Sequence, residues 1–331
     1  MLETLYRRSF DAAMLLRDHP PEFRHPHKSA LFELAYPSVD SARGLIEVTQ
    51  WGQHAPKSLA LPETLAAEVR PDFYDYRPGA AADVAVEWHV NFADPRLFVA
   101  YGSGLFAQDE MQVAEHPLLA SVREALLASD LSAKTCDDST STPILVSNVE
   151  RKLENLTNAD ASAGRPAGLY GNRFAAASLD VILRATRRVE PPTFTNLIAI
   201  AAPSGGRGDY TQSQIASIFA TAYTGFAAAR QETTRIAGAE AEAVVHSGFW
   251  GCGAFGGNRK LMIALQALAA RAAGVARLFI HAGDEPGVAD AERGLDVAVG
   301  LASRCGSPCA LGKLVERVEM LGYRWGVSDG N

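Results

Sequence analysis

Two short stretches of the chain combine residue types that could bind a diphosphate and carry out acid–base chemistry. The first, the glycine-rich loop, has five glycines within its ten residues from Gly248 to Gly257. Glycine lets the backbone approach a ligand closely, and the free N–H groups of a following helix attract anions. The aromatic residues of the loop are Phe249, Trp250 and Phe255. Because such side chains are costly to expose to water, a solvated linker is disfavoured, and we interpret the loop as a diphosphate cradle. A tight strand-to-helix turn packed on the core is the alternative.

The second stretch, the acidic loop (residues 101–110), contains Gly102-Ser103-Gly104 and ends in Gln108-Asp109-Glu110. Hydrolysis of a glycosidic bond to ribose needs a proton donor for the leaving group and a base for water. Two adjacent carboxylates can divide these tasks, because their mutual repulsion and partial burial raise one of the two pKa values. The alternative is structural, since acidic residues at the start of a helix interact favourably with its dipole. The sequence leaves both interpretations open.

The residues around both loops predict the strands and helices that position them. Before the acidic loop, five apolar residues alternate with polar ones, which is the period of a strand with one buried face. They are Val84, Val86, Trp88, Val90 and Phe92. A strand at 243–245 precedes the glycine-rich loop, and a helix follows it from Asn258. After a last clear strand at 278–280, Asp284 is a third candidate ligand contact. This alternation predicts an α/β fold with a largely parallel sheet, helices on both faces, and ligands at the carboxyl ends of the strands.

Other segments carry local signals. Thr211-Gln212-Ser213-Gln214 is a capping box that predicts the start of a helix, and Gly274 closes the helix that carries the apolar residues 261–272. A further helix is predicted from about Leu169 to Arg188. The remaining expectations are a polar connection at 135–142, short strands at 144–146 and 197–201, and a flexible surface loop from Ser204 to Tyr210.

The first 80 residues are expected to form a mainly helical accessory lobe (residues 1–80) in front of a catalytic domain (residues 81–331), with the boundary at Pro78-Gly79. An amphipathic helix is predicted near the start of the chain. Its apolar side would carry Leu5, Phe10, Met14 and Leu15. His25-Pro26-His27 could suggest a metal site, but no acid or cysteine lies near it at ligand spacing. We therefore interpret it as a solvated or packed loop and predict no metal and no cofactor.

The composition limits the possible partners. With 331 residues, of which 47% are hydrophobic, the chain can form a substantial core. Its formal net charge of −7 argues against nucleic-acid binding and, more weakly, against a long polyanionic substrate. Charged residues interrupt the apolar N-terminal segment, so it does not resemble a signal peptide, and no stretch approaches the about 20 apolar residues that span a bilayer. We expect a soluble, cytoplasmic monomer without a membrane partner.

The four cysteines form no pair of CxxC units and are too few for a secreted disulfide framework, so a reducing compartment is the default expectation. Cys252 lies inside the glycine-rich loop, where small-residue packing is favoured over a nucleophilic role because no histidine partner is evident. Cys305 and Cys309 lie at helical spacing and are interpreted as apolar filler.

These motifs, in this order, resemble the poly(ADP-ribose) glycohydrolase branch of the macrodomain fold. The glycine-rich loop is similar to the family's second ligand loop. Asn91-Phe92-Ala93-Asp94 resembles the Asp-Phe-Ala-Asn that ends its strand, and Gly102-Ser103-Gly104 with Gln108-Asp109-Glu110 resembles its catalytic loop. The resemblance covers residues 84 to 285. It implies a three-layer, macrodomain-like fold and an ADP-ribose ligand.

The chain also departs from the family pattern. Gly-Ser-Gly replaces a run of three glycines, Asp94 replaces an asparagine, and Asp109 replaces the first glutamate of the acidic pair. The aromatic residue that stacks on adenine in the family has no clear counterpart, although Tyr170 could serve. By the resemblance, Glu110 is the acid/base and Asp109 binds the ribose hydroxyls.

Asp94 is the informative departure. Near the scissile bond, its negative charge would attract a cationic leaving group such as an arginine guanidinium and would repel the next phosphate of a polymer. We therefore expect hydrolytic release of single ADP-ribose units from an ADP-ribosylated protein, with arginine as a candidate linkage. A poly(ADP-ribose) glycohydrolase and a non-catalytic ADP-ribose reader are the alternatives. The predicted site comprises Glu110, Asp109 and Asp94 as catalytic residues and, as ADP-ribose ligands, Gly102, Ser103, Gly104, Gln108, Gly248, Trp250, Gly251, Cys252, Gly253, Ala254, Phe255 and Asp284.

Overall fold

The computed structural model describes residues 2–61, 66–76, 85–203 and 205–330. The predicted boundary at Pro78-Gly79, the start of a strand at Val84, and Ser204 lie outside these residues. The strands are β1 (Thr4–Asp11), β2 (Leu45–Trp51), β3 (Ser58–Leu59), β4 (Ala66–Arg70), β5 (Ala85–Ala93), β6 (Cys136–Asp137), β7 (Thr140–Ser141), β8 (Ile144–Asn155), β9 (Thr186–Ala201), β10 (Glu242–Gly248), β11 (Arg277–His281) and β12 (Cys309–Ala310). The helices are α1 (Ala12–Asp18), α2 (Pro26–Ala35), α3 (Gln108–Glu115), α4 (Leu118–Leu127), α5 (Arg173–Ala176), α6 (Leu179–Arg184), α7 (Gln212–Ala237), α8 (Arg259–Ala273), α9 (Glu285–Cys305) and α10 (Leu311–Glu319).

An eight-stranded sheet forms the centre of the fold, in the order β1-β2-β8-β9-β5-β10-β11-β4. The five strands from β9 to β4 run parallel to their neighbours. β8, β2 and β1 extend the sheet by antiparallel pairing. The predicted α/β class with a largely parallel sheet is confirmed.

Helices cover both faces of the sheet and enclose two apolar cores. One core gathers residues of α7 to α10 and includes Trp88, Phe219 and Trp250. The other gathers residues of α1 to α4 and includes Phe98 and Phe174. Because side chains alternate along β5, Trp88 and every second residue counted from it face the first core, whereas the residues between them face the second core. The three-layer, macrodomain-like arrangement is therefore confirmed.

The separate lobe predicted for the first 80 residues is corrected by the sheet topology. This segment supplies β1 and β2 at one end of the central sheet and β4 at the other. Thr4–Asp11, predicted as the first half of a helix, is a strand that pairs with β2 from Phe10↔Ile46 to Thr4↔Trp51. Its helices, α1 and α2, belong to the second core. The pairing partner of β1 lies about 40 residues away, so local periodicity did not reveal it.

Helix ends predicted from local chemistry are confirmed. The Thr211 hydroxyl accepts from the Gln214 N–H at 3.3 Å, and the Gln214 side chain accepts from the Thr211 N–H at 3.0 Å. Together they close the capping box at the start of α7. α8 ends at Gly274, which has a φ of +73°.

Several local predictions between residues 135 and 201 are wrong. The expected polar connection contains the β6–β7 hairpin. In place of the single helix expected up to Arg188, the structure has two short helices, α5 and α6, and β9 already starts at Thr186. β8 and β9 are longer than predicted because they pair with each other as far as Asn155↔Thr186.

Two further findings concern a cysteine pair and the apolar character of the helices. Cys305 and Cys309, expected to be apolar filler, are joined by a disulfide bond between the end of α9 and β12. Among the described residues, no helix combines the length and apolar character that crossing a membrane requires.

Candidate active site

Both predicted loops leave the sheet at the same edge. β5 and β10 are adjacent and parallel, with His89 opposite His246 in register. The acidic loop and α3 follow β5, and the glycine-rich loop follows β10. Because parallel strands present their carboxyl ends together, the two loops are neighbours although about 150 residues separate them in the chain.

Gln108 and Asn91 fasten the start of α3 to β5. The Gln108 amide accepts from the Phe92 N–H at 2.8 Å and donates to the Val90 carbonyl at 3.1 Å. The Asn91 amide donates to Asp109 Oδ1 at 3.0 Å. Gln108, predicted as a ligand, thus has both ends of its amide bonded to the strand. Its role as a contact to ADP-ribose stays a prediction.

The acidic pair occupies the first turn of α3 and is almost completely buried. Asp109 is 6% exposed and Glu110 is 4% exposed. Glu110 Oε2 accepts from the Ala107 N–H at 3.0 Å, so Glu110 also closes the start of its own helix. The structural role weighed from the sequence is therefore present, and a carboxylate in this position is favoured by the helix dipole.

Burial shifts the ionisation of both acids. Burial raises the pKa of Asp109 well above its usual range, the neighbouring charge of Glu110 raises it further, and the hydrogen bond from Asn91 opposes the shift. Burial also raises the pKa of Glu110, against the charge of Lys28, which lowers it. A carboxyl group that holds a proton at higher pH than usual is suited to general acid–base catalysis.

Asp94 lies just beyond the end of β5, in a partly exposed turn. Its carboxylate accepts from the Arg96 N–H at 2.9 Å and lies 3.7 Å from Arg96 Nε. Its charge contributes to raising the pKa of Asp109 and that of Glu110. The structure thus brings the three acids predicted as catalytic into one neighbourhood.

The glycines of the acidic loop allow the segment that precedes α2 to pack closely against the loop. The Gly102 carbonyl accepts from the N–H groups of Arg24 and His25 at 2.9 and 3.0 Å. A Cβ on Gly102 would lie 2.5 Å from the Glu22 carbonyl oxygen, too close for any other residue. Close approach is therefore required here by the protein's own chain. Contacts of Gly102, Ser103 and Gly104 to ADP-ribose stay predictions.

Hydrogen bonds inside the glycine-rich loop fix its shape. The N–H groups of Trp250, Cys252, Gly256 and Gly257 donate to carbonyls at 248, 249, 253 and 251. Gly251 has a φ of +74°, and a Cβ there would lie 2.5 Å from Ala202 Cβ. An anion cradle must therefore be built from the N–H groups of other residues of the loop, among them Gly253, Ala254 and Phe255.

The structure gives the Trp250 side chain a core position rather than a ligand contact. It is fully buried, and its indole N–H donates to the Ile200 carbonyl at 3.0 Å. With its backbone N–H also used inside the loop, Trp250 is corrected from a predicted ligand to a core anchor of the loop. Burial raises the pKa of the Cys252 thiol, which agrees with a packing role.

Tyr170 connects the two loops. Its neighbour Gly171 donates its N–H to the Phe106 carbonyl of the acidic loop at 3.0 Å. The Tyr170 hydroxyl oxygen lies 3.5 Å from where a Cβ on Gly253 would lie. Burial raises the pKa of Tyr170 to about 12, and the charges of Asp329 and Glu110 add to the shift. Glu110 and Gly253 thus face a common tyrosine.

Asp284 follows β11 at the same edge of the sheet. Its carboxylate caps α9 by accepting from the Gly287 N–H at 2.7 Å. A Cβ on Gly287 would lie 3.0 Å from the Phe249 ring of the glycine-rich loop. Asp284 is therefore placed beside the loop, and its contact to a ligand stays a prediction.

Two parts of the site were missed from the sequence. Lys28, on α2, is buried against the acidic loop. The segment 323–330 crosses the glycine-rich loop, where Gly326 donates its N–H to the Gly256 carbonyl at 2.8 Å. Neither has a local signal, because both reach the site through tertiary packing from distant positions in the chain.

Comparisons with known proteins agree with this architecture over part of the chain. Residues 170–286 match the family model described as poly(ADP-ribose) glycohydrolase, macro domain fold. This segment contains Tyr170, the whole glycine-rich loop and Asp284. No curated protein matches the chain.

Similar solved structures include enzymes of two organisms. A variant of the poly(ADP-ribose) glycohydrolase of Thermomonospora curvata is 19% identical, with a TM-score of 0.46, over 70% of this chain and 80% of that one. The same enzyme bound to the inhibitor ADP-HPD is 17% identical, with a TM-score of 0.46, over 87% and 84%. The poly(ADP-ribose) glycohydrolase of Deinococcus radiodurans in complex with ADP-ribose is 14% identical, with a TM-score of 0.42, over 88% and 94%.

The match of residues 170–286 and the three-layer fold around them lead to one statement of likeness. Over this segment, the chain is similar to the macro domain fold of poly(ADP-ribose) glycohydrolase.

Proposed function

We propose that the protein is an ADP-ribosylhydrolase, a glycosidase-type enzyme that cleaves the ribose bond of an ADP-ribosylated macromolecule. One observation carries the proposal. The acidic loop, which ends in the buried acid pair, and the glycine-rich loop follow adjacent parallel strands at the same edge of the sheet. Both loops approach Tyr170. An acid–base pair beside an anion-binding backbone is what hydrolysis of a diphosphate-linked sugar requires.

In the proposed reaction, water adds to the anomeric carbon of the ribose while the bond from that carbon to the leaving group breaks. Glu110 takes a proton from water and passes it to the leaving group, so that it ends in its starting form. Asp109, held by Asn91, binds the ribose hydroxyls. The glycine-rich loop binds the diphosphate, and Tyr170 is the candidate to stack on adenine.

We further propose that the preferred substrate carries single ADP-ribose units linked to arginine. The partly exposed carboxylate of Asp94 adds negative charge near the acidic pair, and in this proposal it faces the leaving group. A guanidinium would be attracted there, and the next phosphate of a polymer would be repelled. The net charge of −7 acts in the same direction.

Removal of ADP-ribose from the polymer is the second candidate function. The family model that matches residues 170–286 is named for a poly(ADP-ribose) glycohydrolase, and Gln108-Asp109-Glu110 resembles the corresponding catalytic loop. A non-catalytic reader is the third candidate, since the chain departs from the family at Asp94 and Asp109.

The test offers the purified protein arginine-linked, acid-linked and polymeric ADP-ribose side by side. We expect release of ADP-ribose from the arginine-linked substrate. Glu110→Gln should lower kcat by about 10²- to 10⁴-fold while binding of ADP-ribose in calorimetry is retained. Asp94→Asn should reduce cleavage of the arginine-linked substrate relative to the polymer, whereas Asp130→Asn, on the exposed surface, should not.

Three outcomes contradict parts of the proposal. Shortening of the polymer with no release from arginine would refute the substrate but keep the hydrolase. Binding of ADP-ribose with no release from any substrate would favour the reader. Unchanged activity of Glu110→Gln would remove the proposed acid/base.

A further inference from the structure

A buried lysine lies against the acidic loop. Lys28, on α2, is only 3% exposed. Its ammonium donates to the Tyr101 carbonyl at 3.0 Å, at the first residue of the acidic loop. It also lies over the rings of Phe106 and Phe174, at 5.1 and 5.6 Å from their centroids. Lysine is almost never fully buried without a compensating partner, so this position calls for an explanation.

The compensating charges belong to the acidic pair. Burial lowers the pKa of Lys28 to about 8, and the charges of Glu110 and Asp109 oppose that shift. At neutral pH, Lys28 is therefore still mainly protonated. In the opposite direction, the charge of Lys28 is the largest influence that favours the ionised form of Glu110.

The chain holds Lys28 in this place through the segment before α2. Glu22 donates its N–H to the Tyr101 hydroxyl at 2.7 Å. Arg24 and His25 donate theirs to the Gly102 carbonyl. These bonds fasten the start of α2 to the acidic loop and so hold the backbone of Lys28 beside that loop.

We propose that Lys28 is a positioning residue for the acidic pair: its ammonium holds the acidic loop at Tyr101 and supplies a positive charge to Glu110 in a buried site. Lys28 does not touch the substrate in this scheme. It acts through Glu110, and the inference deepens the proposed hydrolase function and rests on it.

Other charged groups face the same site and must be separated from Lys28 in any test. Asp94 lies beyond β5, and the charge of Arg123 on α4 acts on Asp109. Tyr170 and Asp329 lie near Glu110. His25 and His27 lie at the start of α2. A substitution at position 28 leaves all of these residues in place, but Lys28→Met also removes a charge that lowers the pKa of His25. Lys28→Arg keeps that charge.

The experiment compares Lys28→Met with Lys28→Arg and with Leu31→Val, a buried apolar control on the same helix. Methionine keeps a similar volume but removes the charge. We expect kcat of Lys28→Met to fall by at least about tenfold with KM little changed. The limb of the pH–kcat profile that reports Glu110 should move to higher pH, because loss of a nearby cation disfavours the carboxylate. Lys28→Arg should keep the wild-type profile.

A second measurement does not depend on activity or on the identity of the substrate. The carboxyl carbon of Glu110 is titrated by NMR in the unliganded wild type, Lys28→Met and Leu31→Val. The midpoint should rise in Lys28→Met alone. Identical titration in all three proteins would overturn the role of Lys28, even if the hydrolase activity is confirmed. A raised midpoint in a protein that hydrolyses nothing would keep the electrostatic role and refute the proposed function.

Discussion

At the scale of single residues, the site places two adjacent carboxyl groups where water hardly reaches them. Asp109 accepts from the Asn91 amide, and Glu110 accepts from the Ala107 N–H. Burying such groups costs free energy unless they are paired or protonated. An arrangement that weakens the fold but suits acid–base chemistry is typical of functional sites.

The first prediction concerns the stability cost of Asp109. Its pKa is raised in the folded protein, so the folded state keeps a proton that the unfolded state loses above about pH 4. The free energy of unfolding therefore falls as pH rises through this window. Asp109→Asn removes the cost and keeps an acceptor for Asn91. We expect its Tm to exceed that of the wild type by a few degrees at neutral pH.

Thermal unfolding from pH 4 to pH 7.5 checks this prediction. The difference in Tm between Asp109→Asn and the wild type should widen as pH rises. Asp130→Asn, an exposed surface control, should follow the wild type throughout. A gap that stays constant or narrows with rising pH would show that Asp109 is already ionised at little cost in the fold.

At the scale of elements, the alternation of side chains along the central strands produces a row of buried histidines. His89 on β5 and His246 on β10 are opposite in register, and their rings stack at 4.4 Å. His246 Nδ1 lies 3.0 Å from Nε2 of His281 on β11. The row lies one layer below the acidic pair, beside Tyr74 and Tyr76.

The second prediction is that protonation of these buried histidines destabilises the fold as pH falls. Burial lowers the pKa of His89 well below its usual range, that of His246 to about 3, and that of His281. The folded protein therefore binds fewer protons than the unfolded chain below about pH 6.5, and stability is lost as pH falls. His89→Phe fills the same space without a titrating group, so the loss should be less steep.

Urea unfolding at intervals between pH 4.5 and pH 7 measures the slope. His89 Nδ1 has no hydrogen-bond partner among the described residues, so phenylalanine breaks no bond there. His19→Gln, at the end of α1 and outside the row, serves as the control and should keep the wild-type slope. If His89→Phe also keeps it, the histidine row does not set the acid limit of the fold.

The elements also show which features can be predicted from sequence. β5, α7 and α8 carry a clear period or a cap made by neighbouring residues, so local chemistry is sufficient to find them. β1 and the first half of β9 are polar or ambiguous segments that become strands only because β2 and β8 pair with them. Strand preference of this kind depends on context rather than on the residues alone.

The same division holds for the site. Glycines and acids that follow strands could be assigned to one edge of a parallel sheet, so the glycine-rich loop and the acidic loop were found from the sequence. The direction of the Trp250 side chain and the approach of Lys28 could not, because each depends on packing against residues far away in the chain. Ile200 accepts from Trp250, and Tyr101 accepts from Lys28.

At the scale of the whole molecule, the segment 323–330 returns to the centre of the fold and supports the glycine-rich loop from outside. Trp325 stacks on Tyr210 at 4.2 Å, and the Tyr210 hydroxyl accepts from the Asn258 N–H at the start of α8. The Asn258 side chain in turn donates to the Arg324 carbonyl at 3.2 Å. The loop is therefore bounded by the core on one side and by this segment on the other.

The third prediction follows from the stacking of Trp325. Trp325→Ala removes the ring contact and a half-buried apolar surface, which should lower the free energy of unfolding by about 2 kcal/mol. Chemical denaturation gives this value directly. Val327→Ala, two residues away and 90% exposed, is the matched control and should change stability little. Equal effects of the two substitutions would mean that the segment as a whole, and not the stacked ring, stabilises the fold.

The last prediction concerns the charge that this segment brings to the proposed cradle. Asp329 donates its N–H to the Gly253 carbonyl at 3.4 Å, and its Oδ2 would lie 2.9 Å from a Cβ on Gly253. If the cradle holds the diphosphate of ADP-ribose, this carboxylate opposes binding by like-charge repulsion. The residue is exposed, so water and salt screen the effect. We expect Asp329→Asn to bind ADP-ribose about threefold more tightly at low salt.

Calorimetry at about 20 mM and about 500 mM salt separates this repulsion from other causes, because the gain should largely disappear at the higher concentration. Asp296→Asn, on the exposed surface of α9, changes the net charge equally and should leave the affinity unchanged. Weaker binding by Asp329→Asn would reverse the assignment, because the carboxylate would then be a group that the ligand uses rather than one that it must displace.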